Sequence, residues 1–211
     1  MALIVLAIGF LLSATFVFDR FINTNVQAFW TDFLIRALAV IVIISYGPFR
    51  AAVWDALHIR NEGSDPKSIF VMRIVLYIGC GLLVSLYVIS YVNWPIARLF
   101  PGPPPIQASD MSTLYFLGEI TLGMTMVAIE EEFTFRVIIS KVVKNYSTSL
   151  VALYLSSALL FSLFHWPSGL GSVTGGFLAG LLYMFLYHRT GSIVPSIAVH
   201  YLHNFVILLE G

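Results

Sequence analysis

Three apolar stretches of this sequence each contain polar side chains of the types that carry out hydrolysis. The candidate site residues are Glu131, Glu132, Arg136, His165, His200 and Asn204. Carboxylate and imidazole groups act as general bases towards water, and imidazole and amide N–H groups stabilise an oxyanion. The set therefore contains the groups that hydrolysis of a carbonyl compound needs.

The spacing within these groups predicts which side chains share a helix face. Glu132 and Arg136 are four residues apart, so on an α-helix they lie one above the other and can form an ion pair. Glu131 is rotated by about 100° from Glu132, which leaves it free to face another element. His200 and Asn204 have the same four-residue spacing, and both project from one face.

The composition is that of a membrane protein. Hydrophobic residues make up 59% of the 211 residues and charged residues 10%, against roughly 25% charged residues in an average soluble domain. Lys plus Arg and Asp plus Glu both number 11, so the chain has no excess positive charge with which to bind nucleic acid. We expect an all-α, polytopic helix bundle surrounded by membrane lipid.

Seven apolar stretches approach the length of about 20 residues that a membrane-spanning helix needs. They cover residues 2–18, 29–46, 69–92, 113–140, 149–166, 171–188 and 191–209. The segment 93–110 is rich in proline, so it is not expected to continue a helix. It divides the chain into N-terminal membrane helices with interfacial loops, residues 1–110, and a helical core, residues 111–211.

Loop charges predict the orientation of these spans. With seven spans, six basic residues lie in loops on the side of the N-terminus, and Arg20 and Arg98 lie on the other side. Cytoplasmic loops carry the excess of Lys and Arg, so we expect the N-terminus in the cytoplasm. The same span limits put Glu131 and His165 towards opposite membrane faces, unless the helix at 113–140 runs deep enough to carry Glu131 to mid-membrane or the limits are wrong.

Two further features have a structural interpretation. Glu119 and Arg73 are charges within apolar stretches, and we expect them to pair with each other or to line a cavity. The glycine pairs 171/175 and 176/180 are typical of close helix packing, which we expect within the fold.

The three polar groups resemble, in order, the sequence patterns of a known family. Residues 131–136, 161–165 and 200–204 are similar to the EExxxR, FxxxH and HxxxN patterns of the CPBP family. These are the CAAX-protease and bacteriocin-processing membrane proteins, also called the Abi family, and they include the type II CAAX prenyl endopeptidases. The resemblance covers residues 110–209, the second half of the chain.

The resemblance implies an intramembrane, glutamate-dependent endopeptidase of the bacterial inner membrane that cleaves a peptide or a membrane-anchored protein. Carried over by position, Glu131 and His165 hold and activate the attacking water. His200 and Asn204 stabilise the oxyanion, and the predicted ion pair supports the site. No cofactor is expected, but Glu131, His165 and His200 are acceptable zinc ligands by type, so a zinc site stays open.

Two other functions stay open as well. The same fold could serve as a non-catalytic scaffold or regulator that binds a partner membrane protein. It could also serve as a transporter with a proton relay through Glu119, Glu131 and the histidines. The complete set of polar groups favours the peptidase over the scaffold, and the lack of a sequence repeat disfavours the transporter.

Overall fold

A computed structural model describes residues 26–57, 67–102 and 112–210. Within these ranges every regular element is a helix and none is a strand, which confirms the predicted all-α class. The predicted span at residues 2–18 lies outside the described residues.

The first two helices form a bent pair. Helix α1 (Val26–Ser45) and helix α2 (Gly47–Leu57) meet at an angle of 93°. Helix α2 is fixed against the beginning of the last helix, because the backbone N–H of Ile193 donates to the carbonyl of Ala56 at 2.9 Å. Trp54 on α2 is exposed, in keeping with a helix that lies across one end of the bundle.

Helix α3 is longer than the sequence predicted. It consists of Lys67–Leu83, a π-helical stretch at Val84–Ile89, and Ser90–Leu99. The prediction ended this span at residue 92 because of Pro95, but Pro95 lies inside the helix. Membrane helices tolerate an internal proline where neighbouring groups accommodate the freed backbone carbonyl.

Helix α4 carries both candidate glutamates and is also longer than predicted. Its consecutive parts are Thr113–Gly118, the π-helical Glu119–Gly123, Met124–Glu132, the π-helical Phe133–Ile138, and Ile139–Lys144. The Ser112 side chain caps its first turn by accepting a hydrogen bond from the N–H of Tyr115. The whole helix has 32 residues, or about 48 Å at 1.5 Å per residue.

The remaining helices are α5 (Leu150–Phe164), α6 (Leu170–Thr190) and α7 (Val194–Glu210), with a 3-10 turn at Trp166–Ser168. Ser149 caps α5 by accepting from the N–H of Ala152 at 3.3 Å. Gly191 ends α6 in the left-handed conformation, with φ +67°, which glycine adopts without steric cost.

The extension of α4 removes the conflict over depth. Glu131 precedes the end of α4 at Lys144 by 13 residues, and His165 follows the start of α5 at Leu150 by 15 residues. Because α4 and α5 form an antiparallel hairpin, these nearly equal distances bring Glu131 and His165 to the same depth. The span limit at residue 140 was therefore too short.

Three of the described helices, α3, α4 and α6, are long and apolar enough to cross a membrane, and the bent pair makes a fourth if it is one span. Helices α5 and α7 are apolar but have only 15 and 17 residues. The predicted total of about seven spans is thus not confirmed. The long apolar helices are nevertheless those of an integral membrane protein.

Glycines on α6 allow its neighbours to approach closely. A Cβ atom at Gly171 would lie 2.8 Å from the Cα atom of Ala97 on α3, and one at Gly180 would lie 2.8 Å from the Cα atom of Ala158 on α5. Both glycines thus face helices of the same chain, as predicted.

Two apolar clusters fill the part of the bundle between Glu132 and the α4–α5 turn. The first cluster is Ile89, Phe135, Ile139, Phe161, Ala179, Tyr183, Leu186 and Val199. The second cluster is Ile43, Ala52, Ala56, Phe133, Val137, Ile138 and Ile193. The second cluster joins α2 to α4 and to the turn before α7.

Candidate active site

The predicted ion pair between Glu132 and Arg136 is present and fully buried. Nε of Arg136 lies 2.9 Å from Oε2 of Glu132, and Nη2 lies 3.2 Å from Oε1. Both side chains have 0% exposure. A two-pronged guanidinium–carboxylate pair is a strong, directional contact, so the two charges enter the bundle as a neutral unit.

The Arg136 guanidinium is also enclosed on its remaining sides. Nη1 donates to Oγ of Ser157 at 2.7 Å, and Ser157 in turn donates to the carbonyl of Phe135 at 2.9 Å. The guanidinium carbon lies 4.9 Å from the ring centre of Phe161 and 5.6 Å from that of Tyr183. Arg136 therefore links α4 to α5 and α6 through hydrogen bonds and cation–π contacts.

His200 joins this network from α7. Its Nδ1 lies 3.0 Å from Oε1 of Glu132, and because an ionised carboxylate only accepts, Nδ1 carries the proton. The ring stacks on Tyr183 with centroids 5.0 Å apart and meets Phe161 edge-on at 5.8 Å. Glu132 and two aromatic rings thus fix the orientation of His200 and leave Nε2 as the nitrogen that does not contact Glu132.

Glu131 faces that remaining nitrogen. Its Oε2 atom lies 3.7 Å from Nε2 of His200, and the side chain is 23% exposed. Oε2 is itself buried and has no hydrogen-bond partner among the described residues. Since buried polar atoms are normally hydrogen-bonded, this oxygen is the most conspicuous unpaired group of the site.

His165 closes the C-terminal end of α5. Its Nδ1 lies 2.9 Å from the carbonyl of Phe161, to which it must donate, so in the neutral ring Nε2 is an acceptor. Gly176 on α6 leaves room for the ring, because a Cβ atom there would lie 3.3 Å from Nδ1. His165 packs on Phe161 with ring centroids 4.8 Å apart, and the Phe161 ring also contacts the His200 ring.

Asn204 lies one turn after His200 on α7 and is half-buried. Its amide forms no hydrogen bond with the part of the chain that the structure describes, so its N–H groups are available to a ligand. The adjacent His203 is held from α3, since Oγ of Ser85 lies 3.0 Å from its Nδ1.

The structure brings four of the six candidate residues into direct contact, whereas His165 is connected to them through the Phe161 ring and Asn204 lies one turn after His200. Glu132 and Arg136 form a buried inner layer, and His200 connects this layer to Glu131. Sequence reasoning missed the contact between His200 and Glu132 and the enclosure of Arg136 by Ser157 and Tyr183. No spacing rule links these residues, because they come from different helices.

Two other sequence expectations can be compared with the geometry. Across 26–57, 67–102 and 112–210, no three His, Cys, Asp or Glu side chains are arranged to hold a metal ion. Glu119 pairs with Arg36 of α1 at 3.6 Å, so the predicted pairing with Arg73 is wrong. Arg36 also donates to the carbonyl of Gly123 at 3.2 Å, which ties α1 to α4 away from the site.

Comparison with protein families gives one match. Residues 113–206 match the family described as type II CAAX prenyl endopeptidase Rce1-like. Comparisons with curated proteins and with solved structures gave no match. The matched residues begin at the first turn of α4 and include all six candidate site residues, and the family is one of proteases. The segment from residue 113 to residue 206 is therefore similar to the Rce1-like family of type II CAAX prenyl endopeptidases, in agreement with the three sequence motifs.

Proposed function

We propose that this protein is an intramembrane endopeptidase that hydrolyses a peptide bond of a membrane-associated protein or peptide. The observation that carries the proposal is the buried, unpaired Oε2 of Glu131 beside Nε2 of His200. An unsatisfied carboxylate oxygen costs free energy in a folded protein. This oxygen lies between α4 and α7, which both contain candidate site residues. A general base towards water needs a free acceptor atom in such a position.

Glu131 and His165 activate the water in this proposal. Both present acceptors, the Glu131 carboxylate and Nε2 of His165, and a water between them can donate one hydrogen to each. Glu131 takes the proton as the water oxygen attacks the scissile carbonyl carbon. The same proton then passes to the leaving nitrogen as the C–N bond breaks.

His200 and Asn204 stabilise the negative charge that develops on the carbonyl oxygen. In the imidazolium form, His200 donates from Nδ1 to Glu132 and from Nε2 to the oxyanion, whereas the neutral form with Nδ1 protonated can only accept at Nε2. In either form Nδ1 donates to the Glu132 carboxylate, which holds the ring in place. The Asn204 amide supplies a second donor one turn along the same helix.

No metal has a step in this mechanism, and zinc dependence is left for measurement. The continuous helices, rather than alternating strands, suit a cytoplasmic membrane, and we assign the enzyme to the bacterial inner membrane. Its partners in this proposal are the substrate peptide and the surrounding lipid, without nucleic acid.

The Glu131→Gln variant tests the proposal. Purified protein in detergent would be incubated with a library of quenched fluorescent peptides, prenylated and unprenylated. Loss of a general base lowers the rate by roughly 10²–10⁴-fold, while the thermal midpoint should stay unchanged because Oε2 has no protein partner to lose.

Glu210→Gln is the matched control, since Glu210 is exposed at the end of α7 and should keep full activity. Cleavage by Glu131→Gln at a rate within a few-fold of the unchanged protein would refute the assignment. If the unchanged protein and the Glu210→Gln control both fail to cleave any peptide, a non-catalytic scaffold would be favoured.

A further inference from the structure

Helix α7 carries both of the proposed oxyanion donors, and their use depends on how this helix is rotated about its axis. His200 and Asn204 are four residues apart, so at 100° per residue their side chains point within about 40° of each other. A substrate carbonyl oxygen can accept from both only if this shared direction faces it. The contacts that fix the rotation of α7 are therefore part of the proposed reaction.

Two other side chains of α7 are hydrogen-bonded to neighbouring helices, one on each side of this shared direction. On the same count of 100° per residue, Tyr201 lies about 80° to one side of the direction midway between the two donors. His203 lies about 80° to the other side. Hydrogen bonds at these two positions oppose rotation of α7 in both senses, and they are here called the His203 anchor and the Tyr201 anchor.

The His203 anchor is formed with Ser85 of α3. Oγ of Ser85 lies 3.0 Å from Nδ1 of His203, and Ser85 has 0% exposure. Gly81 and Ile89, four residues before and after Ser85, are also buried, so the three residues form one buried face of α3. A Cβ atom at Gly81 would lie 3.2 Å from Cγ2 of Val199. Helix α3 therefore packs directly on α7 one turn before His203.

The Tyr201 anchor is formed with the backbone of α4. The Tyr201 hydroxyl donates to the carbonyl of Ile120 at 2.7 Å. Ile120 lies in the π-helical stretch Glu119–Gly123, and Arg36 of α1 donates to the carbonyl at the end of that stretch at 3.2 Å. The acceptor of Tyr201 is thus itself held by another helix.

Both anchors use a π-helical stretch. Ser85 belongs to Val84–Ile89 of α3, and Ile120 belongs to Glu119–Gly123 of α4. Backbone hydrogen bonds in such a stretch join residues five apart, and these stretches are frequent at functional sites. Each of the two lies where its helix is hydrogen-bonded to α7.

We infer that Ser85, His203 and Tyr201 are positioning residues, which direct His200 and Asn204 together at the scissile carbonyl oxygen by fixing the rotation of α7. This inference rests on the proposed function. It also makes α3 a part of the working site, although α3 lies outside residues 113–206, which match the protease family.

Two variants test the anchors, each with a matched control on α3. Ser85→Ala and Tyr201→Phe each remove one hydroxyl group and little volume. Ser90→Ala and Tyr91→Phe remove the same groups from exposed positions. The turnover number kcat and KM would be measured for all four variants with a peptide that the unchanged protein cleaves.

We expect each anchor variant to lower kcat by roughly 10–10²-fold, because a misplacement of about 1 Å can cost 10²-fold. KM should stay within about two-fold, since the lost positioning serves only the transition state. Both controls should keep kcat and KM within about two-fold on the same criterion. Anchor variants with the kcat of their controls, or with a change in KM alone, would overturn the inference.

A double variant separates positioning of the oxyanion donors from a general loss of packing. Tyr201→Phe combined with Asn204→Ala should lower kcat by less than the product of the two single factors, because both changes act on the same donor. Single factors that multiply in the double variant would overturn the inference.

Histidine NMR tests the anchors without any assay of proteolysis. The chain has five histidines, so protein labelled with ¹⁵N-histidine gives few side-chain signals, and those of His200 are assigned by their loss in His200→Gln. Ser85→Ala and Tyr201→Phe should shift the His200 signals, whereas the two controls should leave them in place. His200 signals that stay unchanged in both anchor variants would overturn the inference.

The two readouts distinguish failure of this inference from failure of the peptidase proposal. Shifted His200 signals in a protein that cleaves no peptide would support the anchors and remove the peptidase proposal alone. Tyr201 is half-buried and loses only one hydroxyl group, so Tyr201→Phe decides the matter if Ser85→Ala fails to fold.

Discussion

Removing one partner of the Glu132–Arg136 pair should destabilise the protein far more than removing both. The perturbations are Arg136→Met, Glu132→Leu and the double variant. Met and Leu preserve much of the side-chain volume, so the change is mainly one of charge. Each single variant leaves the other charge in a fully buried position.

The magnitude follows from the contacts of Arg136. Breaking one side of a buried ion pair costs about 3–5 kcal/mol. In a chain of this size each kcal/mol lowers the thermal midpoint by about 2–4 °C. Arg136→Met should therefore lower the midpoint by about 6–20 °C on the same scaling. The midpoint of the double variant should fall by less than that of either single variant, because neither charge is stranded.

The assay is thermal unfolding in detergent, followed by intrinsic tryptophan fluorescence. Arg98→Met is the control, since Arg98 lies over an exposed Trp94 ring, and an exposed cation–π contact contributes only about 0.5–1 kcal/mol. Equal midpoint shifts for Arg136→Met and Arg98→Met would refute the reasoning. So would a double variant whose midpoint falls as far as that of either single variant.

Three further outcomes are expected. Asn204→Ala should lower the turnover number roughly 10²–10³-fold, as for one lost oxyanion donor, and a turnover within a few-fold of the unchanged protein would remove Asn204 from that role. Gly176→Ala should reduce turnover with little loss of stability, since the added Cβ lies 3.3 Å from Nδ1 of His165. Gly180→Ala should lower the thermal midpoint, since its Cβ lies 2.8 Å from the Cα of Ala158. A larger fall in the midpoint for Gly176→Ala than for Gly180→Ala would contradict the packing. Activity should persist in a chelator, and stoichiometric metal whose removal abolishes activity and whose return restores it would overturn the metal-free mechanism.

The local features of this site could be predicted from sequence because they depend on the helical repeat. The four-residue spacing placed Arg136 over Glu132, and the structure shows that pair at 2.9 Å. The rotation of Glu131 away from Glu132 likewise followed from the repeat, and Oε2 of Glu131 has no hydrogen-bond partner within the described residues.

The contacts between helices could not be predicted in the same way. His200 is 68 residues from Glu132, and its preference for Glu132 over Glu131 at Nδ1 depends on how α7 is rotated against α4. The partner of Glu119 was wrongly predicted for the same reason, because nothing in the spacing distinguishes Arg36 from Arg73.

The lengths of α3 and α4 were also underestimated. Hydropathy ended α4 near the first lysine, but a basic side chain can remain on a helix beyond the apolar core of the membrane. The π-helical stretches on either side of Met124–Glu132 carry no sequence signal that the apolar pattern could show. In each stretch the backbone hydrogen bonds join residues that are five apart. The stretch therefore changes which residues share a face of the helix.

The position of Glu132 and Arg136 on one helix has a consequence for the biogenesis of the protein. Because their spacing is four residues, the ion pair can form within the nascent α4 before α5, α6 and α7 have been synthesised. The translocation machinery then receives a segment whose two most costly charges already neutralise each other, and the penalty of each charge at mid-membrane, about 2.5–3.5 kcal/mol on insertion scales, is reduced. His200 follows later in the chain, on α7, so the fully buried Glu132 gains this partner only after α5 and α6 have been synthesised.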